Sequence, residues 1–290
     1  MPRKRIPKRK GGQLAEVARR LRKDKAAMAG LIAIVALSVM ALLAGFIADY
    51  DSQAVQMTAQ RFLSPSAQHW FGTDNFGRDI FARVVHGARL SLSIGLATTV
   101  ISLFVGFLLG AVAAFYGGLV DSIIIRVMDM LACIPAMLLA LAIVAALGPS
   151  MTNLLIAITV ANIPGFVRLI KSTILGIVDQ EFIEAAKACG TTDARIIWRH
   201  ILPNAMGPII VTATGNISSM IIAASGLSFL GFGAQPPTPE WGAMLSDARQ
   251  YMRTSPHLML FPGSFIILAA LSFNLMGDGL RDALDPRLKD

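Results

Sequence analysis

Uncharged residues in this chain are gathered into five long runs, and these runs predict its architecture. Asp, Glu, Lys and Arg are all absent from residues 26–48, 90–120, 130–167, 200–239 and 254–277. An α-helix needs about 20 consecutive apolar residues to cross the hydrocarbon core of a bilayer, and each run is at least that long. The pattern therefore predicts an all-α integral membrane protein in which every run supplies transmembrane helix.

The run at 130–167 is too long for one span and contains its own break. Leu147-Gly148-Pro149-Ser150 combines the two residue types that interrupt helices most strongly, so we divide the run there. The first run is longer than the apolar part of a signal peptide, and we interpret it as an uncleaved span. The sequence then predicts six transmembrane helices, at about 26–48, 91–115, 125–147, 151–169, 208–230 and 258–277.

Composition excludes the soluble classes of protein. Hydrophobic residues make up 54% of the 290 residues and charged residues only 15%, whereas soluble proteins average about 25% charged residues. Intrinsic disorder, a secreted disulfide-bonded scaffold and a cytosolic enzyme are all inconsistent with this balance. The two cysteines, Cys133 and Cys189, imply no disulfide framework.

The net charge of +8 comes from one end of the chain. Residues 1–25 contain 11 Lys and Arg against 2 Asp and Glu. A basic segment directly before a first span favours the cytoplasmic side, although an RNA-binding tail would have a similar composition. We therefore expect a basic cytoplasmic N-terminal segment at 1–25 and, after six spans, a cytoplasmic C-terminal tail at 282–290.

Alternation of the spans assigns the remaining segments to the two sides of the membrane. After the first transmembrane helix at 26–48, residues 49–90 form an extracytoplasmic loop. A transmembrane core of five helices follows at 91–281, and it includes a cytoplasmic loop at 170–206. The Lys and Arg residues of that loop agree with the cytoplasmic side only weakly, because acidic residues accompany them.

The outer loop contains an amphipathic segment at 71–90. Thr73 or Asp74 is a plausible helix cap. We expect Ile80 and Val84 to face the bilayer and the arginine side chains to face water, as in an interfacial anchor.

The cytoplasmic loop reads as two short helices joined at a glycine. Asp179 can cap the first helix, and Gly190 suits the left-handed position that closes it. Thr191 or Thr192 can cap the second helix, which we expect to end before Pro203. A bent helical loop of this kind fits either a simple connector between spans or a surface on which another protein docks.

Catalytic signatures are absent from the sequence. It contains neither a Gly-x-x-x-x-Gly-Lys-Ser/Thr phosphate loop nor a Gly-x-Ser-x-Gly elbow. Its histidines are scattered without the spacing of metal ligands. We therefore expect no catalytic residue, no metal site and no cofactor on this chain.

Polar residues inside the predicted spans are the candidates for a substrate path, because burying them in a bilayer is unfavourable. The candidates are Asp129, which Arg126 one turn earlier could neutralise, and three asparagines, Asn162, Asn216 and Asn274. Packing between neighbouring helices is the competing interpretation for each of them.

Three motifs resemble one family. Glu184-Ala185-Ala186, Gly190 and Leu202-Pro203 are spaced as in the EAA loop of ABC importer permeases. His200 replaces the usual Ile, as is frequent in the peptide branch. Residues 71–92, beginning Phe-Gly-Thr-Asp, and residues 275–287, Leu-Met-Gly-Asp-Gly-Leu-Arg-Asp-Ala-Leu-Asp-Pro-Arg, are similar to the C-type permease of dipeptide, oligopeptide and nickel importers.

The resemblance implies the type I importer permease architecture, in the bacterial inner membrane, with coupling by the EAA loop. It implies three kinds of protein partner besides membrane lipid: a homologous second permease, two cytoplasmic ATPases that bind ATP and Mg²⁺, and an extracytoplasmic solute-binding protein, with no nucleic acid. The coupling residues would be Glu184, Ala185, Ala186, Gly190, His200, Leu202 and Pro203.

The resemblance leaves the cargo open. Di- and oligopeptides fit the motifs, while nickel or another small solute is the alternative within the same family. A secondary transporter that works without ATP is the rival from another class, and it would be expected to carry ion-coupling carboxylates at the midplane of the bilayer.

Overall fold

The computed structural model describes residues 13–48 and 60–284, and these residues are predominantly helical. Each of the uncharged runs lies largely within one or more long helices. We label the helices α1 (Gln13–Leu21), α2 (Lys25–Leu42), α3 (Ala44–Ile47), α4 (Ile80–Tyr116), α5 (Gly118–Ala132), α6 (Ala136–Leu147), α7 (Met151–Val178), α8 (Glu181–Ala188), α9 (Asp193–Ile196), α10 (Leu202–Phe229), α11 (Trp241–Ala248) and α12 (His257–Leu284).

Five helices in the described residues are long and apolar enough to cross a membrane. They are α2, α4, α7, the helical stretch Asp193–Phe229 and α12. The pair α5 and α6 passes the same test together but is bent by 82°. Counting this pair as one span gives the six predicted from the sequence.

The predicted third span at 125–147 is not one straight helix. α5 starts earlier, at Gly118, and the chain breaks before α6, where Pro135 has an extended ψ of 132°. Proline has no N–H to donate, and its ring disfavours helical backbone at the preceding Ile134. We missed this break because the apolar run continues through it unchanged.

The predicted second span at 91–115 is the end of a longer helix. α4 has 37 residues, a length of about 55 Å at 1.5 Å per residue. Its first turn is capped by Asp79, whose side chain accepts a hydrogen bond from the Ala82 N–H at 2.9 Å. The expected cap at Thr73 or Asp74 was therefore wrong. Both of those residues lie in the loop before the helix.

Close packing of α4 on α7 forms the centre of the bundle. An ideal Cβ on Gly106 would lie 2.5 Å from the Cβ of Phe166, and one on Gly110 would lie 2.8 Å from the carbonyl oxygen of Val167. Only glycine lets the two backbones approach this closely, as is common between helices in membranes. On the other side of the bundle, α12 packs between α2 and α10.

The tight turn predicted at 148–150 connects α6 to α7. Gly148 has a φ of +92°, a conformation that side chains disfavour. The Asn153 side chain donates to the carbonyl oxygens of Leu147 and Gly148 at 3.0 and 2.9 Å. These bonds satisfy the carbonyls that a helix leaves free at its C-terminus.

Candidate coupling loop and translocation cavity

α8 ends in a glycine-dependent Schellman motif. The Thr191 N–H bonds the Ala186 carbonyl at 3.1 Å and the Gly190 N–H bonds the Lys187 carbonyl at 2.9 Å. Gly190 has the predicted positive φ, +72°, which costs glycine no steric strain. The helix begins after Gln180 and not after Asp179, and Gln180 forms no side-chain cap.

The second helix of the loop continues into the next span, contrary to our expectation that it would end before Pro203. α9 runs through a π-helical turn at Ile197–Ile201 into α10, and the Leu202 N–H bonds the Ile197 carbonyl. A π-helical turn reaches five residues back, and Pro203 follows it at the start of α10, where a missing N–H is tolerated. Thr192 precedes α9 as expected but forms no side-chain cap.

One face of the loop packs against the membrane-spanning helices. Ile183, Ile196 and Ile201 are fully buried and join a cluster with Phe166 and Ile174. Burying an Ile side chain contributes roughly 1.5–3 kcal/mol. Cation–π contact adds to this attachment, because the Lys187 ammonium lies 5.1 Å from the centre of the Phe115 ring.

The other face of α8 is open. Glu184 and Ala185 are exposed, Ala186 is half-buried, and the Phe182 side chain is 39% exposed. One face of this short helix is thus packed against the bundle, while the other presents a carboxylate and an aromatic ring outward. His200, Leu202 and Pro203 lie on a different segment, in and just after the π-helical turn, so the candidate coupling residues form two groups joined through α9.

Two of the predicted path residues bond each other. The Asn162 amide donates to the Asn216 Oδ1 at 2.9 Å, and the Asn216 amide donates back to the Asn162 Oδ1 at 3.2 Å. The Thr99 hydroxyl donates to the same Asn216 oxygen at 3.1 Å. This cluster connects α4, α7 and α10, and it satisfies side chains that would be unfavourable if left unpaired in a bilayer.

Asn216 and Asn274 line a cavity of about 1080 Å³ between α10 and α12. Its polar wall also includes Thr212 and Ser219, and Asp278 and Arg281 lie at the end of α12. The volume is large for a small-molecule site. Asn162 supports this wall through Asn216.

Asp129 lies elsewhere. It is exposed on α5 and is not among the residues that line the cavity, and within the described ranges it forms no salt bridge with Arg126. The ion pair of α5 joins its Asp121 to Lys171 of α7, with 2.6 Å between Nζ and Oδ1.

A buried charge cluster lies at the opposite end of the bundle from α8, and sequence reasoning missed it. The Arg78 Nε donates to the Asp74 Oδ2 at 2.6 Å, and its Nη2 lies 3.6 Å from the Asp247 Oδ2 on α11. Arg83 lies 3.7 and 4.0 Å from the same two carboxylates. Both arginines are only 2% exposed.

Arg78 and Arg83 therefore do not face water, whereas Arg89 is exposed as expected. Ile80 and Val84 do not face lipid. These apolar side chains are 1% and 0% exposed and belong, with Trp241, to a core formed by α2, α4, α10, α11 and α12. The spacing of Asp74 and Arg78 was a local signal for pairing. Their partner Asp247 lies too far along the chain for any local pattern to reveal it.

Glu240 ties α11 to α4. Its carboxylate accepts hydrogen bonds from the Gly242 and Ala243 N–H groups at 2.9 and 2.8 Å and from the Ser91 hydroxyl at 3.1 Å. Burial raises the pKa of Glu240 above its ordinary value, and these hydrogen bonds oppose that rise. Burial likewise raises the pKa of Asp247 against the opposing effect of Arg83 and Arg78.

Several helices long enough to span a membrane, a cavity with a polar wall between two of them and a short helix with one open face are the features of a multi-pass membrane protein. Residues 102–290 match the family described as the inner membrane component of binding-protein-dependent transport systems. Residues 12–65 match the N-terminal transmembrane domain of oligopeptide transport permease C. The chain belongs to this family of ABC importer permeases.

Curated relatives agree with this assignment. The chain is 49% identical over 274 residues to the dipeptide transport system permease protein DppC of Alkalihalophilus pseudofirmus, covering 94% of this chain and 90% of that protein. It is 46% identical, with the same coverage, to the glutathione transport system permease protein GsiD of Escherichia coli O6:K15:H31.

Solved structures agree on the fold. The chain resembles the MetNI methionine ABC transporter in its inward-facing conformation with a TM-score of 0.53 and 19% identity, covering 71% of this chain and 98% of that one. It also resembles an amino acid ABC transporter, with a TM-score of 0.53 and 15% identity over 70% of this chain and 94% of that one. The type I importer architecture expected from the sequence is thus confirmed.

Proposed function

We propose that this chain is the non-catalytic permease subunit of an ATP-driven importer of di- and oligopeptides. The cargo is supported by two relatives that share almost half of its residues and whose names refer to a dipeptide and to glutathione, a tripeptide-sized solute. Neither name favours nickel or another small solute, the alternative cargo considered from the sequence.

The observation that carries the proposal is the attachment of α8. Its open face presents Glu184 and Ala185, with Ala186 at the edge, while the buried Ile183 and the turn at Gly190 fix its angle. In this proposal the open face seats on a cytoplasmic ATPase. His200, Leu202 and Pro203 carry the resulting movement into α10.

The proposal requires partners that supply what this chain lacks. Two cytoplasmic ATPases bind ATP and Mg²⁺ and hydrolyse the nucleotide, and an extracytoplasmic binding protein delivers the cargo. A homologous second permease completes the pathway, of which this chain lines only a part. Both termini then lie in the cytoplasm, as the basic segment at 1–25 favours.

Asn216 and Asn274 are the proposed contacts with cargo. Amide side chains both donate and accept hydrogen bonds, as a transient contact with peptide groups requires. Asn162 is proposed as a positioning residue, since it bonds Asn216 directly. For Asp129 a role in the path remains a prediction from the sequence alone.

A purification from the native membrane tests the proposal. The tagged full chain is extracted in mild detergent, and every protein that copurifies is identified by mass spectrometry. A second six-span permease and P-loop ATPases are expected with the wild type. The Glu184→Arg variant should retain the permease and lose most of the ATPases, because it reverses a charge on the open face of α8.

Asp282→Arg is the matched control, since it reverses an exposed acidic residue at the end of α12. It should retain all partners. If the wild-type chain purifies alone and exchanges solute in liposomes without ATP, the proposal is wrong and the secondary-transporter interpretation replaces it.

A further inference from the structure

The first described residues form an amphipathic helix, α1, directly before the first membrane-spanning helix, α2. α1 places Val17 and Leu21 four residues apart, on one side of the helix, and both are half-buried. Val17 also lines the cavity beside α12, against which α1 packs. Arg19 lies on the opposite side of the helix and is exposed.

Four exposed basic residues lie within six residues of the start of α2 along the chain. Arg22 and Lys23 are exposed in the three-residue link between α1 and α2, and Lys25 is exposed at the first position of α2. We call Arg19, Arg22, Lys23 and Lys25 the basic patch. A membrane-spanning helix begins at its edge, so the patch lies at the level of lipid headgroups.

The single acidic residue of the link does not neutralise the patch. The Asp24 Oδ1 accepts hydrogen bonds from the Ala26 and Ala27 N–H groups at 2.9 and 3.2 Å and caps α2. The Asp24 Oδ2 lies beside α12, 3.2 Å from where a Cβ on Gly279 would be. Packing of Asp24 and Ala27 on α12 therefore fixes the position of the patch relative to the span.

We propose that the basic patch is a binding surface for anionic phospholipid headgroups. Four exposed cations at one end of a span, on a helix whose apolar side packs on the protein, are complementary to a negatively charged leaflet. Lys and Arg both bind phosphate oxygens, and Arg does so through two parallel hydrogen bonds. The bound lipid seals the side of the bundle where Val17 adjoins the cavity.

Lipid analysis of the purified protein tests this proposal. The full chain, with whatever partners copurify, is isolated in mild detergent, and the ratio of phosphatidylglycerol to phosphatidylethanolamine is measured against the bulk membrane. The wild type should be enriched about threefold or more in phosphatidylglycerol. Arg19→Gln/Arg22→Gln/Lys23→Gln should lose at least half of that enrichment. The triple control Arg61→Gln/Arg249→Gln/Arg253→Gln removes exposed arginines elsewhere and should keep it.

A second measurement uses the wild type alone, so that it does not depend on how the variant inserts. Raising NaCl from about 0.1 to about 1 M during purification shortens the screening length from about 10 to about 3 Å and should remove the enrichment. The proposal is wrong if the enrichment survives high salt, if the two triple variants behave alike, or if the patch instead retains nuclease-sensitive nucleic acid.

Discussion

Arg78 has a buried guanidinium that lies between two carboxylates and an aromatic ring. Asp74 accepts from its Nε, Asp247 approaches its Nη2, and the Phe76 ring lies 4.6 Å from its Cζ. In a buried ion pair the attraction between the charges roughly offsets their loss of hydration. The pair therefore stabilises this particular arrangement of loop and α11 more than it stabilises the folded state as such.

Removing Arg78 alone, while its carboxylate partners stay in place, should nevertheless be strongly destabilising. Arg78→Ala leaves the buried Asp74 and the partly exposed Asp247 without one of their counter-charges, and loss of one partner from a buried ion pair costs about 3–5 kcal/mol. We expect a clearly lower thermal unfolding midpoint for the purified protein in detergent. Arg253→Ala, at an exposed position at the same end, should change stability by no more than about 0.5 kcal/mol. Equal midpoints for the two variants would contradict the role assigned to Arg78.

Residues that act through short-range patterns could be predicted from the sequence, and those that act across the fold could not. Gly190 was predicted because a helix end needs a positive φ and glycine supplies it. The burial of Arg78 and Arg83 was not predicted. The pattern of polar and apolar residues shows which side chains share a face of one helix, but not which side chains meet between helices. Asn162 and Asn216 were identified as polar residues in spans, but only the fold brings them together.

Helix contacts at the element scale depend on where glycine lies. α4 and α7 touch at Gly106 and Gly110, whereas Gly165 on α7 faces open space. The same chemical change at Gly106 and at Gly165 should therefore have opposite consequences.

Gly106→Ala and Gly165→Ala form a matched pair. Alanine is the better helix former by about 1 kcal/mol at either site. At Gly106 the new methyl group would lie 2.5 Å from the Phe166 Cβ, and overpacking of this kind typically costs about 1–3 kcal/mol. We expect Gly106→Ala to lower the unfolding midpoint and the abundance in the membrane, and Gly165→Ala to leave both unchanged or raised. A stabilised Gly106→Ala protein would show that α4 and α7 are not this close.

The positions of the spans could be predicted where a break between two helices is marked by several helix-breaking residues. Leu147-Gly148-Pro149-Ser150 marked the turn between α6 and α7, but Pro135 alone, inside an apolar run, did not separate α5 from α6. α9 and α10 show the reverse case. Pro203 suggested an end to the helix, and a π-helical turn carries the helix through it.

At the scale of the whole molecule, the described chain has two differently built ends. At one end α11 is held by buried charges and by Glu240, and at the other α8 is held by apolar side chains with an open face outward. A cavity with a polar wall lies along the helices between them. In the proposed importer, coupling therefore depends on the angle at which α8 is held.

Gly190→Val tests that angle. A β-branched residue is strongly disfavoured at a φ of +72°, by roughly 1–2 kcal/mol. Nothing in the chain lies within 4 Å of a Cβ at this position, so the substitution strains the turn without a clash. We expect ATP-dependent dipeptide uptake, normalised to the amount of permease in the membrane, to fall about fivefold or more.

Gly176→Ala is the control for Gly190→Val, because this glycine is helical, exposed and also without a neighbour within 4 Å. Its uptake should equal that of the wild type. If Gly190→Val showed normal uptake at normal abundance, coupling would not depend on the turn at Gly190.

The helix from Asp193 to Phe229 is continuous through its π-helical turn and across Pro203 and Pro208. Its 37 residues form a single lever arm about 55 Å long. Tilting such a rod by about 5° around its midpoint displaces each tip by about 2.4 Å, given that length. Asn216 lies between the midpoint and the far tip, so it moves in the direction opposite to α9. A small displacement of α9 at one membrane face would thus move Asn216, in the cavity wall, in the opposite direction.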